Sequence, residues 1–64
     1  MPSDSLPDNL SAPARRALAA GGITTLAHLT QRTVKEVRAL HGIGPMTILQ
    51  LDRALRAAGL RFKE

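Results

Sequence analysis

Residues 41–47 read His-Gly-Ile-Gly-Pro-Met-Thr, and this stretch restricts the fold more than any other in the chain. Glycine reaches backbone shapes, φ > 0 among them, that other residues avoid. Proline is at home in the first position of a helix, where its missing N–H leaves no bond unmade. Two glycines around one aliphatic residue, with proline next, therefore spell a tight turn that opens a helix at Pro45. The segments on either side must meet there at a sharp angle.

The rest of the chain is divided by similar punctuation. Ser11 is placed to cap a first helix with Pro13 in its opening turn, and Gly21 or Gly22 ends that helix in a left-handed cap. With Gly22 in this role, Ile23 falls where it touches Leu18. A short second helix follows, with Thr24 as its cap and Leu26 and Leu29 turned inward. Thr33 and Glu36 have the spacing of a capping box, in which each side chain satisfies a backbone N–H at the helix start. Behind them Val34, Val37 and Leu40 form the apolar edge of a third helix. The longest helix is expected over 45–58, with Ile48, Leu51, Leu55 and Ala58 on its inner face. Gly59 closes it, Leu60 meets Leu55, and Phe62 seals the core.

Ten Leu and ten Ala, with Phe62 the lone aromatic residue and no β-branched run, favour helix throughout. The expected fold is therefore all-α, a compact bundle of four to five short helices. It occupies residues 10–64 and follows a flexible arm over 1–9, whose Pro, Asp and Ser resist regular structure. Leu6 in that arm can still dock on the domain. Gly-Gly-Ile-Thr-Thr-Leu at 21–26 echoes His-Gly-Ile-Gly-Pro-Met at 41–46, which suggests two related helix-turn-helix halves.

Sixty-four residues make one domain, and a chain of this size buries only roughly 60% of its unfolded surface. Without cysteine it has neither disulfides nor thiolate metal sites to help. No apolar run approaches the ~20 residues of a membrane span, and no basic segment precedes an apolar stretch as in a signal peptide. A soluble, cytoplasmic protein is expected. The net charge is +4, and residues 9–63 hold nine basic side chains against only Glu36 and Asp52. Such an excess suits a polyanion, most often nucleic acid, although many small soluble proteins are simply basic.

The turn has a chemistry of its own. Gly42 and Gly44 let the backbone bend and let another backbone approach, so that Gly44→Val is expected to cost about 1–3 kcal/mol. Ile43 plugs the space between the flanking helices. The first N–H groups after Pro45 point outward without partners, a small positive site that suits a phosphate oxygen. Gly42, Ile43, Gly44, Pro45, Met46 and Thr47 resemble the hairpin of the helix-hairpin-helix family. That resemblance implies sequence-independent gripping of a DNA backbone.

From about Leu10 to Phe62 the chain also resembles the C-terminal domain of the bacterial RNA polymerase alpha subunit, in the order and spacing of its elements. The resemblance implies contact with the minor groove of promoter DNA and docking of transcription activators. By position, the family's first-helix arginine falls at Pro13 and its asparagine a turn later at Arg16. The lysine after its glycine turn falls at Met46, the hydroxyl beside it at Thr47, and a glutamate one turn on at Gln50. Gly44, Thr47 and Arg16 are kept as contacts in this comparison, and two cations are lost.

The expected nucleic-acid contacts are Arg15, Arg16, Gly42, Gly44, Thr47, Gln50 and Arg53. Each has a plainer reading: the turn can be purely structural, and Arg15 and Arg16 can form a solvated face. Arg53 and Arg56 can track phosphates, or Arg56 can pair with Asp52 at i, i+4. Met46, Leu49 and Arg53 share an outer stripe, and two exposed apolar residues there suggest a protein contact instead. His28 and His41 lack the further ligands a metal needs, and no nucleophile, base and orienting group come together. The expectation is a non-enzymatic, transcription-associated DNA-binding protein without metal or cofactor and without a small-molecule substrate. The alternative is a protein-interaction module that keeps the fold and has lost its DNA face. Its partner would be DNA or a transcription-related protein.

Overall fold

The computed structural model describes residues 5–64. Four helices follow one another: α1 (Ala12–Ala20), α2 (Leu26–Leu29), α3 (Val34–Arg38) and α4 (Pro45–Ala57). Among the described residues there is no strand, only two isolated bridges, Ser5 to Thr25 and Thr33 to Lys63. The globule measures 30 × 25 × 20 Å. At 1.5 Å per residue α4 is about 20 Å long, the longest element, and α3 packs against it.

Local chemistry sets most helix ends. Ser11 caps α1, its hydroxyl accepting from the Ala14 N–H at 3.3 Å, with Pro13 in the first turn. At the other end Gly22 takes φ +79° and donates to the Ala19 carbonyl at 3.0 Å, while Ile23 donates to the Leu18 carbonyl at 2.8 Å. This paired closure brings the Ile23 side chain onto α1. The same pattern ends α4: Gly59 donates to Arg56 at 3.0 Å and Leu60 to Leu55 at 2.7 Å. Because Ala58 is already the cap, the helix stops one residue short of the expected 58, and Ala58 is exposed rather than part of the core. Leu60 takes the inward place.

Two local expectations shift. The cap of α2 is Thr25, not Thr24, with the Thr25 hydroxyl accepting from the His28 N–H at 3.4 Å. Thr24 has its own N–H bound to His28 Nδ1 at 3.0 Å and serves as the link after buried Ile23. On α3, Val37 is buried and Leu40 half-buried, but Val34 is exposed. Residues three apart drift by about 60° around a helix, so an i, i+3, i+6 edge spans about 120° and one end must leave the core.

The capping box of α3 is complete. Thr33 Oγ1 accepts from the Glu36 N–H at 3.1 Å, and the Thr33 N–H donates to Glu36 Oε1 at 2.9 Å. The Thr33 backbone N–H, and after it the Thr33 hydroxyl, hold the Glu36 carboxyl below its ordinary value, with Arg32 and Lys63 adding their charge. Phe62 is buried, and the Lys63 N–H donates to the Arg32 carbonyl at 2.9 Å, which ties the tail to the start of α3. The centre of the core is Leu18, Ile23, Leu29, Val37, Leu51 and Leu55, all under 2% exposed.

Residues 1–4 of the expected arm lie outside the described residues. From Ser5 onward the arm follows the domain surface. Ser5 bridges to Thr25, Leu6 packs against the core, and Arg15 donates to the Asp8 carbonyl.

Candidate nucleic-acid interface

The turn between α3 and α4 is built from short-range bonds. Leu40 donates to the Val37 carbonyl at 3.1 Å and Ile43 to the Leu40 carbonyl at 3.2 Å, so the chain folds back within four residues. Gly42 makes this possible at φ +101°. A Cβ on Gly42 would stand 3.1 Å from the Pro13 carbonyl oxygen and 3.5 Å from the Ala17 methyl. Glycine is thus required twice here, by its backbone angle and by the close approach of α1. Ile43, 9% exposed, fills the space beneath the turn.

Gly44 differs. It is extended, with φ −111° and ψ 178°, and open space lies where its Cβ would stand. Neither strain nor crowding opposes a side chain there, so the expected penalty for Gly44→Val is overturned. Gly44 caps α4, and among the described residues there is no side-chain cap hydrogen bond. Pro45 has no N–H to offer. The first intrahelical bond runs from Ile48 to Gly44 at 3.1 Å, and no acidic residue sits in the first turn. Ser11, Thr25 and Thr33 supply side-chain caps to the other three helices. The start of α4 is therefore the helix end without a side-chain cap, where orphan N–H groups carry a positive partial charge.

The two arginines of α1 part company. Arg15 lines a groove with Leu6, Pro7, Ala19, Ile23 and Thr24, and its guanidinium is engaged by the arm. Arg16 lies about 60° around the helix from Pro13, whose carbonyl meets Gly42. It is exposed.

On α4, Thr47 is 9% exposed and Gln50 half-buried, so little of the Thr47 hydroxyl side reaches solvent. Met46 is 68% exposed, Leu49 43%, and Arg53 lies beside them on the outer stripe. Arg56 pairs with Asp52 at 2.9 Å.

Lys35 and Arg38 carry no motif of their own in the sequence. Both are exposed, and with Val34 and Ala39 they line a shallow depression on α3. Their signal was the charge excess, which cannot say which cations are spoken for. Arg32, by contrast, donates to the Gly21 carbonyl at 3.3 Å and closes the end of α1. His41 is exposed next to the turn. Among the described residues no group of three or more His, Cys, Asp or Glu could hold a metal ion, and no helix is long and apolar enough to cross a membrane.

Comparison with protein-family models, with curated proteins and with solved structures finds no match to this chain.

Proposed function

We propose that this chain is an all-α domain of the helix-hairpin-helix kind, related in design to the RNA polymerase alpha C-terminal domain, and that it binds the backbone of DNA with little sequence selectivity. The observation that carries the reading is the start of α4, which has no side-chain cap and open space at Gly44. A phosphate oxygen approaching over Gly44 is received by the backbone N–H groups at the start of α4. Arg16 on α1 reaches a neighbouring phosphate, and Arg53 lies further along α4. Nothing in this set reads base edges, so the contacts position the domain without specifying a sequence. On the same reading the protein is transcription-associated, acts in the bacterial cytoplasm, and carries out no reaction. The exposure of Met46 and Leu49 favours a protein contact on the outer face of the same helix.

Titration of mixed-sequence duplex DNA at two salt concentrations tests the DNA reading. With only a few phosphates held, affinity is expected in the non-specific range of about 10⁻⁴–10⁻⁶ M. Each neutralised phosphate contributes roughly 0.9 to the log–log salt slope. Arg16→Ala should weaken every sequence alike and lower that slope by about one. Met46→Lys, which adds a cation beside the open donors, should tighten binding. No binding at low salt by the wild type or either variant would sink the reading.

A further inference from the structure

Both ends of the described chain return to the cap of a helix, but they are held very differently. At the C-terminal end Phe62 is buried, Lys63 bridges to Thr33, and the Lys63 N–H donates to the Arg32 carbonyl at 2.9 Å. At the N-terminal end Ser5 bridges to Thr25, the cap of α2. The apolar anchor there is Leu6, which packs against the core but is only half-buried. It lies with Pro7 in an open groove whose other walls are Arg15, Ala19, Ile23 and Thr24. The Arg15 guanidinium donates to the Asp8 carbonyl and fixes the arm beyond Pro7.

Each of these N-terminal contacts is weak by itself. A half-buried leucine contributes only part of what a buried one does. An isolated bridge lacks the neighbours of a ladder, and the Arg15 side chain is exposed. Against them stands the conformational entropy of ordering the backbone from Ser5 to Asn9. The core beneath, with Leu18, Ile23 and Leu29 under 2% exposed, has no such weakness. A segment held this lightly on a well-buried core opens without the domain unfolding. What it braces is the element least able to stand alone. α2 has four residues, far fewer than an isolated helix needs, and its cap Thr25 is where the arm pairs.

We propose that residues 5–9 form a strap that opens and closes on the folded domain, with the Arg15 guanidinium as its latch, and that closing it steadies α2. Closed, as in this structure, the strap lays Leu6 and Pro7 along the flank of α1 and braces Thr25 through Ser5. Opened, it leaves Arg15, Ala19 and Ile23 on an empty groove, and α2 loses its brace. The latch joins a cation to a neutral carbonyl rather than to a second charge, so salt has little hold on it. The strap also works on its own side of α1. Arg15 lies about 160° around the helix from Pro13, whose carbonyl meets Gly42. The inference therefore does not rest on DNA binding at the start of α4.

Native-state amide exchange on the isotope-labelled full chain, without DNA, is the test. The reporters are the His28 and Thr30 N–H groups, bonded to the Thr25 hydroxyl and the Ala27 carbonyl, with the α4 amides of Leu51 and Leu55 as the reference for global opening. Arg15→Ala removes the latch without weakening α1, because alanine is the best helix former. It should speed exchange at His28 and Thr30 about tenfold, the effect of one hydrogen bond from a charged donor, and leave Leu51 and Leu55 unchanged. Leu6→Ala should act in the same way, Arg15→Lys should recover part of the protection because it keeps a donor, and added salt should change little. In the wild type the Leu6 methyls should show Overhauser contacts to the groove. The proposal is overturned by any of four results: equal acceleration at Leu51 and Leu55, which makes the arm part of the global fold; wild-type exchange at His28 and Thr30 in both Arg15→Ala and Leu6→Ala; opening by salt alone, which places the latch in a charge pair; or no contact between Leu6 and the groove.

Discussion

The chain turns twice through glycine followed by isoleucine, and the two turns do different work. In both, the isoleucine is buried: Ile23 is 1% exposed and Ile43 9%. In both, the glycine before it has positive φ, +79° at Gly22 and +101° at Gly42. Around Gly22, however, nothing lies within 4 Å of where a Cβ would stand, whereas Gly42 is pressed against the α1 backbone. The first turn is tied down by its neighbours, through Arg32 on the Gly21 carbonyl, the Thr25 cap and the bridge to Ser5. The second leaves α4 open at Gly44. The pair teaches that a shared Gly-Ile sequence fixes the bend and the plug. What surrounds the bend decides whether it is a joint or a site.

Gly42→Ala should be the most damaging change at either turn. The backbone penalty is about 1–3 kcal/mol, and crowding against the Pro13 carbonyl adds about 1–3 kcal/mol. For a domain of this size that is a large share of the total. Urea unfolding is the measurement, and a midpoint equal to wild type would show that the turn does not hold α1 as described. Gly22→Ala meets strain but no crowding, so about 1–2 kcal/mol is expected. If it matched Gly42→Ala, the contrast between the turns would be lost.

Helix caps sharpen the comparison further. The Glu36 carboxyl is held below its ordinary value by Thr33, so its contribution to stability is present above the unfolded carboxylate pKa, about 4.3. It is lost as pH falls through the lower folded value. Stability should therefore drop more between pH 5 and pH 3 in the wild type than in Glu36→Gln. Equal drops would show the capping box to be idle in solution. The smallest effect belongs to Gly44→Asp. A carboxylate at this cap accepts from the α4 N–H groups and should stabilise the fold by a few tenths of a kcal/mol. On the proposed DNA reading it should also block the phosphate at this helix start, so that DNA affinity falls while melting rises slightly. A rise in both would argue against phosphate binding at the start of α4.

The sequence by itself determined what acts within a turn or so of chain. Ser11, Thr33 with Glu36, Gly22 with Ile23, and Gly59 with Leu60 were all legible, because a cap or a left-handed closure involves residues no more than five apart. The inward faces of Leu51 and Leu55, and the exposure of Met46 and Leu49, followed from helical period. Tertiary structure alone decided the rest. Gly42 rather than Gly44 is the intolerant glycine because Pro13, far back in the chain, brings its carbonyl there. Thr25 rather than Thr24 caps α2, its hydroxyl accepting from the His28 N–H while the Thr24 N–H bonds back to His28 Nδ1. Arg15 and Arg16 are neighbours in sequence, yet the arm claims one and leaves the other exposed. A residue's type and spacing tell what it is able to bond; which partner arrives depends on how distant segments share the one small core.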